Sequence, residues 1–439
     1  QAFRKGSGCS SPIVEIGDTV KELRLHDISL GAFKQAVDDL EKCPSLSNVH
    51  VHVDLKGKEL DTELWRVFRG LHSLELSCDN SGSGFANQIS RYMRQSKTLR
   101  ELRLRNCGGD KGAALLIEAF IGNNTLKILE LYDVKLSSDS LIGFVKMLAI
   151  NSTLEVVRRG DACHVEANKV WSLLAQERYA DVFQRLQIVW TDELLSVLTE
   201  LIRREACSFE LSVRVTSSVD EEVLREFFDV VAENKTLIRL HLDSEVFDAL
   251  ANGIASLVKR TRTLREILSA TVDKPVSAHQ LITILNALKE NSSITHFTMC
   301  VETVTRKIAT SLSELLTVNK ALSSLLVCEE SCISSAAGEI VLRGLRVSYT
   351  LTELGVCAKF DENDTTRDIE ALLNRNRGIL EQAADIVRGS DVSNQVGPHA
   401  VNKVHSLVVS VRMWMSTKKK KTEHMLARIR AALTHLKDV

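Results

Sequence analysis

An α/β solenoid is the fold class this sequence predicts, and three observations predict it. Residues 99–154 state one pattern twice: LRELRLRNC and LKILELYDV are each followed by a helical-looking segment, ALLIEAFIGNNT and SLIGFVKMLAINST. The leading leucines Leu71, Leu99, Leu126 and Leu154 recur at intervals of 28, 27 and 28 residues, inside the ~20–29 residue range of strand-and-helix repeats. A chain of 439 residues also exceeds the ~250–300 at which one compact core stops growing. It must be several domains or a solenoid, and the period selects the solenoid.

Each unit opens on a strand template, an apolar residue followed by apolar residues three and five positions later. Extended along the chain, the template gives about thirteen units, starting near residues 20, 46, 71, 99, 126, 154, 183, 208, 237, 264, 294, 322 and 351. LHSLEL, LRELRL, LKILEL, LIRLHL and LTELGV are the clearest strands; the units near 154, 183 and 208 are the weakest, and there Arg159 takes an inward slot. Between strands the apolar residues recur at three- and four-residue intervals, as in Leu141, Phe144, Val145 and Leu148, which is helix periodicity. These are leucine-rich repeats, in which neither element buries its apolar face without its neighbours. The expected architecture is a horseshoe with parallel strands on the concave face and helices on the convex face.

The solenoid is expected over residues 1–360, and a C-terminal helical cap with a small helical module over residues 361–439. In that second part the strand pattern stops and helical stretches are expected at 366–388, 400–415 and 422–437. The first of them covers the last hydrophobic edge of the array, as a terminal repeat must.

A strand-plus-helix unit of this length resembles the ribonuclease-inhibitor type of leucine-rich repeat, the kind also found in the ligand-sensing region of NOD-like receptors. The resemblance covers roughly residues 15–360. That family places Asn or Cys three residues after the last strand leucine, and Cys107 fits, following Leu104; other units carry Asp79, Val134, Glu245 or Glu330 there. The resemblance implies a protein-binding surface and a part in innate immune recognition or regulation.

Composition narrows the class. Hydrophobic residues are 44% and charged residues 26%, and the net charge of −1 gives no bulk attraction to nucleic acid or acidic membranes. No run approaches the ~20 apolar residues of a membrane span, so no membrane partner and no nucleic acid are expected. Gln1, followed by Arg4 and Lys5 in place of an apolar signal core, predicts a truncated or processed chain. Ten cysteines without the dense spacing of a disulfide scaffold point to free thiols in a cytoplasmic, reducing compartment. Asn123, Asn151, Asn234, Asn291 and Asn363 match the glycosylation pattern and keep an extracellular reading open. Each of the first four lies three residues before a leading strand position, where Asn suits the left-handed conformation of a helix stop.

Motifs for chemistry are missing. There is no phosphate-cradling Gly-x4-Gly-Lys-Ser/Thr loop, no His-Glu-x-x-His helix, no Cys-x-x-Cys pair and no Gly-x-Ser-x-Gly elbow. No catalytic residue, cofactor or metal is expected. His50, His52 and Asp54 alternate onto one strand face, yet a structural zinc site wants four ligands in closed geometry. Cys300, Cys328 and Cys357 fall at one position of three successive units and should form a column. The lysines at 418–421 read as a solvated loop between helices.

The outward strand positions are the candidate binding surface. In the first five units they include Arg24, His50, His52, Glu75, Glu101, Arg103, Arg105, Glu130 and Tyr132, a set able to make charge-assisted hydrogen bonds around an aromatic anchor. These nine are the expected ligand-binding residues of the concave face. Later units present Leu268, Leu326 and the cysteines, a drier strip. The expected function is a non-enzymatic scaffold that binds a protein ligand. Two alternatives use the same repeats: a substrate-recognition subunit of a ubiquitin ligase, and a leucine-rich repeat GTPase-activating protein.

Overall fold

The structure is a computed structural model that describes residues 22–29, 46–54, 65, 68–79, 83–105, 109–133, 137–162, 166–244, 247–270, 276–301, 303–329, 334–356 and 364–388. The chain divides into two compact units, residues 1–223 and 224–439. In the first, strands β1 (Glu22–Ser29), β2 (Asn48–Asp54), β3 (Ser73–Asp79), β4 (Glu101–Arg105), β5 (Ile128–Tyr132), β6 (Val156–Ala162), β7 (Leu186–Thr191) and β8 (Glu210–Val215) each pair in parallel with the next. The described crossovers are helices α1 (Ser83–Gln95), α2 (Gly109–Ile121), α3 (Ser138–Ile150), α4 (Ala167–Leu174) and α5 (Leu195–Arg203). Helix α6 (Glu221–Glu233) follows β8.

The second unit repeats the arrangement with β9 (Arg239–Ser244), β10 (Glu266–Ala270), β11 (His296–Val301), β12 (Ser324–Glu329) and β13 (Glu353–Val356), again parallel neighbours in chain order. Between them run α7 (Phe247–Arg260), α8 (Ala278–Glu290), α9 (Arg306–Val318) and α10 (Ser335–Val347). Parallel strands paired in sequence order through helical crossovers define a leucine-rich repeat solenoid.

The strand template explains the register. Leu74, Leu102, Leu129 and Val157 stand opposite one another, as do Leu76, Leu104, Leu131 and Arg159. The seven leucine and valine side chains are at most 2% exposed, as are the helix residues Leu116, Phe120, Phe144 and Leu148. Burying a side chain of this size contributes ~1.5–3 kcal/mol, and no unit collects it without its neighbours.

Arg159 occupies the inward slot and is buried. The repeat is least regular there: the β6–β7 register shifts between Arg158 and Ala162, α4 has only eight residues, and a 3₁₀ segment (Glu177–Arg185) precedes β7. A guanidinium cannot be stripped of water as a leucine can, so the leucine run at this slot is interrupted at β6, while the neighbouring inward row continues from Val157 to Leu186.

Helix ends are tied by a column of buried asparagines. Asn151 Oδ1 accepts from the backbone N–H groups of Thr153 and Leu154 at 2.8 Å, while its Nδ2 donates to the carbonyls of Phe120 and Asn123 in the preceding repeat at 2.6 and 2.8 Å. In the second unit, the successive repeats of Asn291 and Asn319 make the same four bonds. The left-handed conformation expected at these helix stops is not what forms. Asn151, Asn291 and Asn319 have φ of −85°, −83° and −73° with extended ψ. Asn is required by its side chain, which satisfies orphan helix carbonyls one repeat back, and the four matching glycosylation patterns fall on this buried column. Asn363 lies outside the described residues.

At β7 the column changes chemistry. Arg185 takes the asparagine's place, donating to the carbonyls of Asn151 at 2.7 Å, Leu154 at 3.0 Å and Leu148. Burial without a facing carboxylate pulls its guanidinium below the usual arginine range.

After β13, helix α11 (Asp364–Arg388) buries Ile369, Leu373 and Asn376. Asn376 Nδ2 donates to Ser348 and Leu351 carbonyls at 3.1 and 2.6 Å, so the column continues although this helix does not stop. The helices expected at 400–415 and 422–437 and the lysines at 418–421 lie outside the described residues.

Candidate functional site

In a parallel sheet, one position of the repeat forms one row across the strands, with neighbours about 4.8 Å apart. The register puts Arg24, His50, Glu75, Arg103, Glu130, Arg158 and Gln187 in a single row from β1 to β7. From Glu75 to Arg158 the charges alternate, and the side chains from His50 to Gln187 are joined. His50 Nδ1 lies 2.8 Å from Glu75 Oε2, and Arg103 Nη1 lies 3.9 Å from the same oxygen. Arg103 Nε donates to Glu130 Oε2 at 2.7 Å; Arg158 Nη1 donates to the other Glu130 oxygen and Arg158 Nε to Gln187, both at 2.6 Å. Glu101 adds a 3.8 Å pair to Arg103.

Beside it runs a second row, His52, Ser77, Arg105 and Tyr132. The Arg105 guanidinium lies over the Tyr132 ring, 4.8 Å from its centroid, and within 4.0 Å of Glu75 and 3.8 Å of Asp133. Gly160 is required beneath that ring: a Cβ there would sit 2.6 Å from Tyr132 Cδ1. The Tyr132 hydroxyl donates to Glu130 at 3.1 Å.

Glu130 differs from its expected place among the ligand-facing residues. It is 4% exposed, and both oxygens are taken by Arg103, Arg158 and Tyr132. Burial alone would raise its carboxyl; the Arg158 bond, the Arg103 charge and the Tyr132 bond outweigh burial and hold it below the usual value. Glu130 is therefore the centre that orients its neighbours. The same partner keeps Arg103 charged against partial burial, while burial and Glu130 raise Tyr132.

His50, Glu75, Glu101, Arg103, Arg105 and Tyr132 are brought together and stay partly exposed. The Arg24 side chain and Asp54 side chain lie outside the described residues. Sequence reasoning missed Arg158, Gln187 and Asp133. Arg158 and Gln187 hold the same template position as Arg103, so the frame carried to residue 183 contains them; Asp133 sits at a left-handed φ of 54° just past the strand, which the template does not encode. Among the described residues no group of three or more His, Cys, Asp or Glu is arranged to hold a metal, and no helix is long and apolar enough to cross a membrane.

No family model matches the chain. Mouse (Mus musculus) tropomodulin-4 is 24% identical over 280 residues, which is 60% of this chain and 76% of that protein. Among solved structures, the chain is similar to the yeast Rad7 and Elc1 complex, with 17% identity and a TM-score of 0.44 over 71% of this chain and 76% of that one. It is also similar to the tropomodulin C-terminal domain of Caenorhabditis elegans, with 13% identity and a TM-score of 0.27 over 43% and 95%. For leiomodin-1 actin-binding site 2 the identity is 16% and the TM-score 0.28 over 44% and 92%.

Proposed function

We propose that this solenoid is a non-enzymatic scaffold that binds a protein ligand on the strand face of β2–β6. The observation that carries the reading is the joined row from His50 to Gln187. It holds Arg103 in a fixed direction, with Arg105 stacked on Tyr132 beside it. Fixed Arg and Tyr side chains lower the ordering cost of binding and supply the residue types that dominate interfaces.

The finer reading, a part in innate immune recognition in the cytoplasm, rests on the repeat type alone. Ubiquitin-ligase substrate recognition and GTPase activation remain the alternatives that use the same surface. The experiment is affinity capture with the full chain and with Arg103→Glu/Arg105→Glu as paired baits. We expect at least one polypeptide retained by the native chain and lost by the variant, with the variant still folded at the capture temperature although Glu130 loses one of its cationic partners. Identical captured sets would overturn the assignment of this face.

A further inference from the structure

At the leading ends of β2, β3 and β4, next to the charged row, the strand face opens into a pocket of about 330 Å³. That is the low end of the ~300–1,000 Å³ range of ligand pockets, room for one side chain. Its walls include Asn48, His50, His72, Ser73, Arg100 and Arg103, and every one of these side chains can donate a hydrogen bond. The remaining wall residue, Glu101, is the one carboxylate, and it pairs with Arg103 at 3.8 Å.

The donors are held from behind. Arg100 Nη1 donates to the Thr125 carbonyl at 2.9 Å, Arg103 Nε to Glu130 at 2.7 Å, and His50 Nδ1 lies 2.8 Å from Glu75. Such anchoring fixes where the cationic groups point before a ligand arrives. The donor set is particular to these strands: at the positions of Ser73 and Glu101, β5 and β6 carry Ile128 and Val156. The sequence template passes over His72 and Arg100 because they sit beside the leading leucines rather than at its outward positions.

We infer that this pocket receives an anionic, oxygen-bearing side chain of the protein ligand, a carboxylate or a phosphorylated hydroxyl. The inference rests on the reading that this face binds protein. Charge-assisted bonds from guanidinium to such oxygens are about twice as strong as neutral ones. The test is fluorescence anisotropy at low salt, titrating the full chain into a short labelled peptide with central glutamates, its phosphoserine counterpart and its lysine counterpart. The glutamate or the phosphoserine peptide should bind, and the tighter of the two names the source of the anion. Affinity should fall about tenfold in Arg100→Gln, the loss of one charged hydrogen bond, and severalfold in His72→Gln, which leaves the Thr125 bond intact. Equal binding of the lysine peptide, no binding of either acidic peptide, or affinities unchanged in both variants would overturn the pocket assignment. Capture by the native chain that still depends on Arg103 and Arg105 would then leave the larger face standing.

Discussion

The same repeat position carries opposite chemistry in the two units. In the first it reads His50, Glu75, Arg103, Glu130, Arg158 and Gln187; in the second it reads His241, Leu268, Thr298, Leu326 and Gly355. Leu326 leans so far over its neighbour that a Cβ at Gly355 would lie 2.3 Å from its Cδ2. The inward slots do not follow this division, since Leu104 and Met299 are equally buried. Nor does the capping column: Asn recurs in both units, with Ser96 in the first and Thr261 and Ser348 in the second at the same helix-stop position, and Arg185 serving at β7. The difference teaches that fold and surface are written at separate positions of one repeat, so the surface can change while the solenoid persists.

If that separation holds, the largest effects come from inward slots in either unit. Leu104→Asp and Met299→Asp should each lower unfolding stability by about 3–5 kcal/mol, because each leaves an unpaired charge inside the sheet. Denaturant unfolding measures this, and a native-like midpoint for either would break the shared frame. The caps come next. Asn319→Ala removes four buried hydrogen bonds, two from N–H groups and two to carbonyls, and should cost about 2–3 kcal/mol, against about 1–2 kcal/mol for the half-buried Arg185→Ala. Equal losses in paired melts would mean that the two caps are interchangeable.

The smallest effect is the acid limb of the charged row. Glu130 is held below its ordinary value of 4.5. A depressed carboxyl contributes stability that is complete above its unfolded value and is lost as pH falls through the folded one. Stability of the native chain should therefore decline from about pH 4.5 downward, and Glu130→Gln should show a flatter decline. Superimposable acid titrations would remove Glu130 from the centre of the row.

Much of this was legible in the amino acids. The period fixed the strand frame because inward leucines repeat regardless of what faces out, and the frame put His50, Glu75, Arg103 and Arg105 on one face. It also brought Cys300 opposite Cys328, with the side chain of Cys328 and all of Cys357 outside the described residues. Three things were not legible. Reading one repeat at a time suggested a left-handed helix stop at Asn151, whereas its role lies in bonds to the repeat before. Glu130 reads as an exposed acid until Arg103, Arg158 and Tyr132 are placed around it. Arg185 has no position in the template, and only the carbonyls left open at residues 148, 151 and 154 show what it does.

The claim that the charged row, and not the drier one, is the binding surface is tested most directly by one paired affinity measurement on a captured partner. Arg103→Glu/Arg105→Glu in the first unit is set against Leu268→Glu/Thr298→Glu in the second. At least a tenfold loss is expected for the first pair, about 1.4 kcal/mol, and no change for the second. A loss confined to the second pair would contradict the claim.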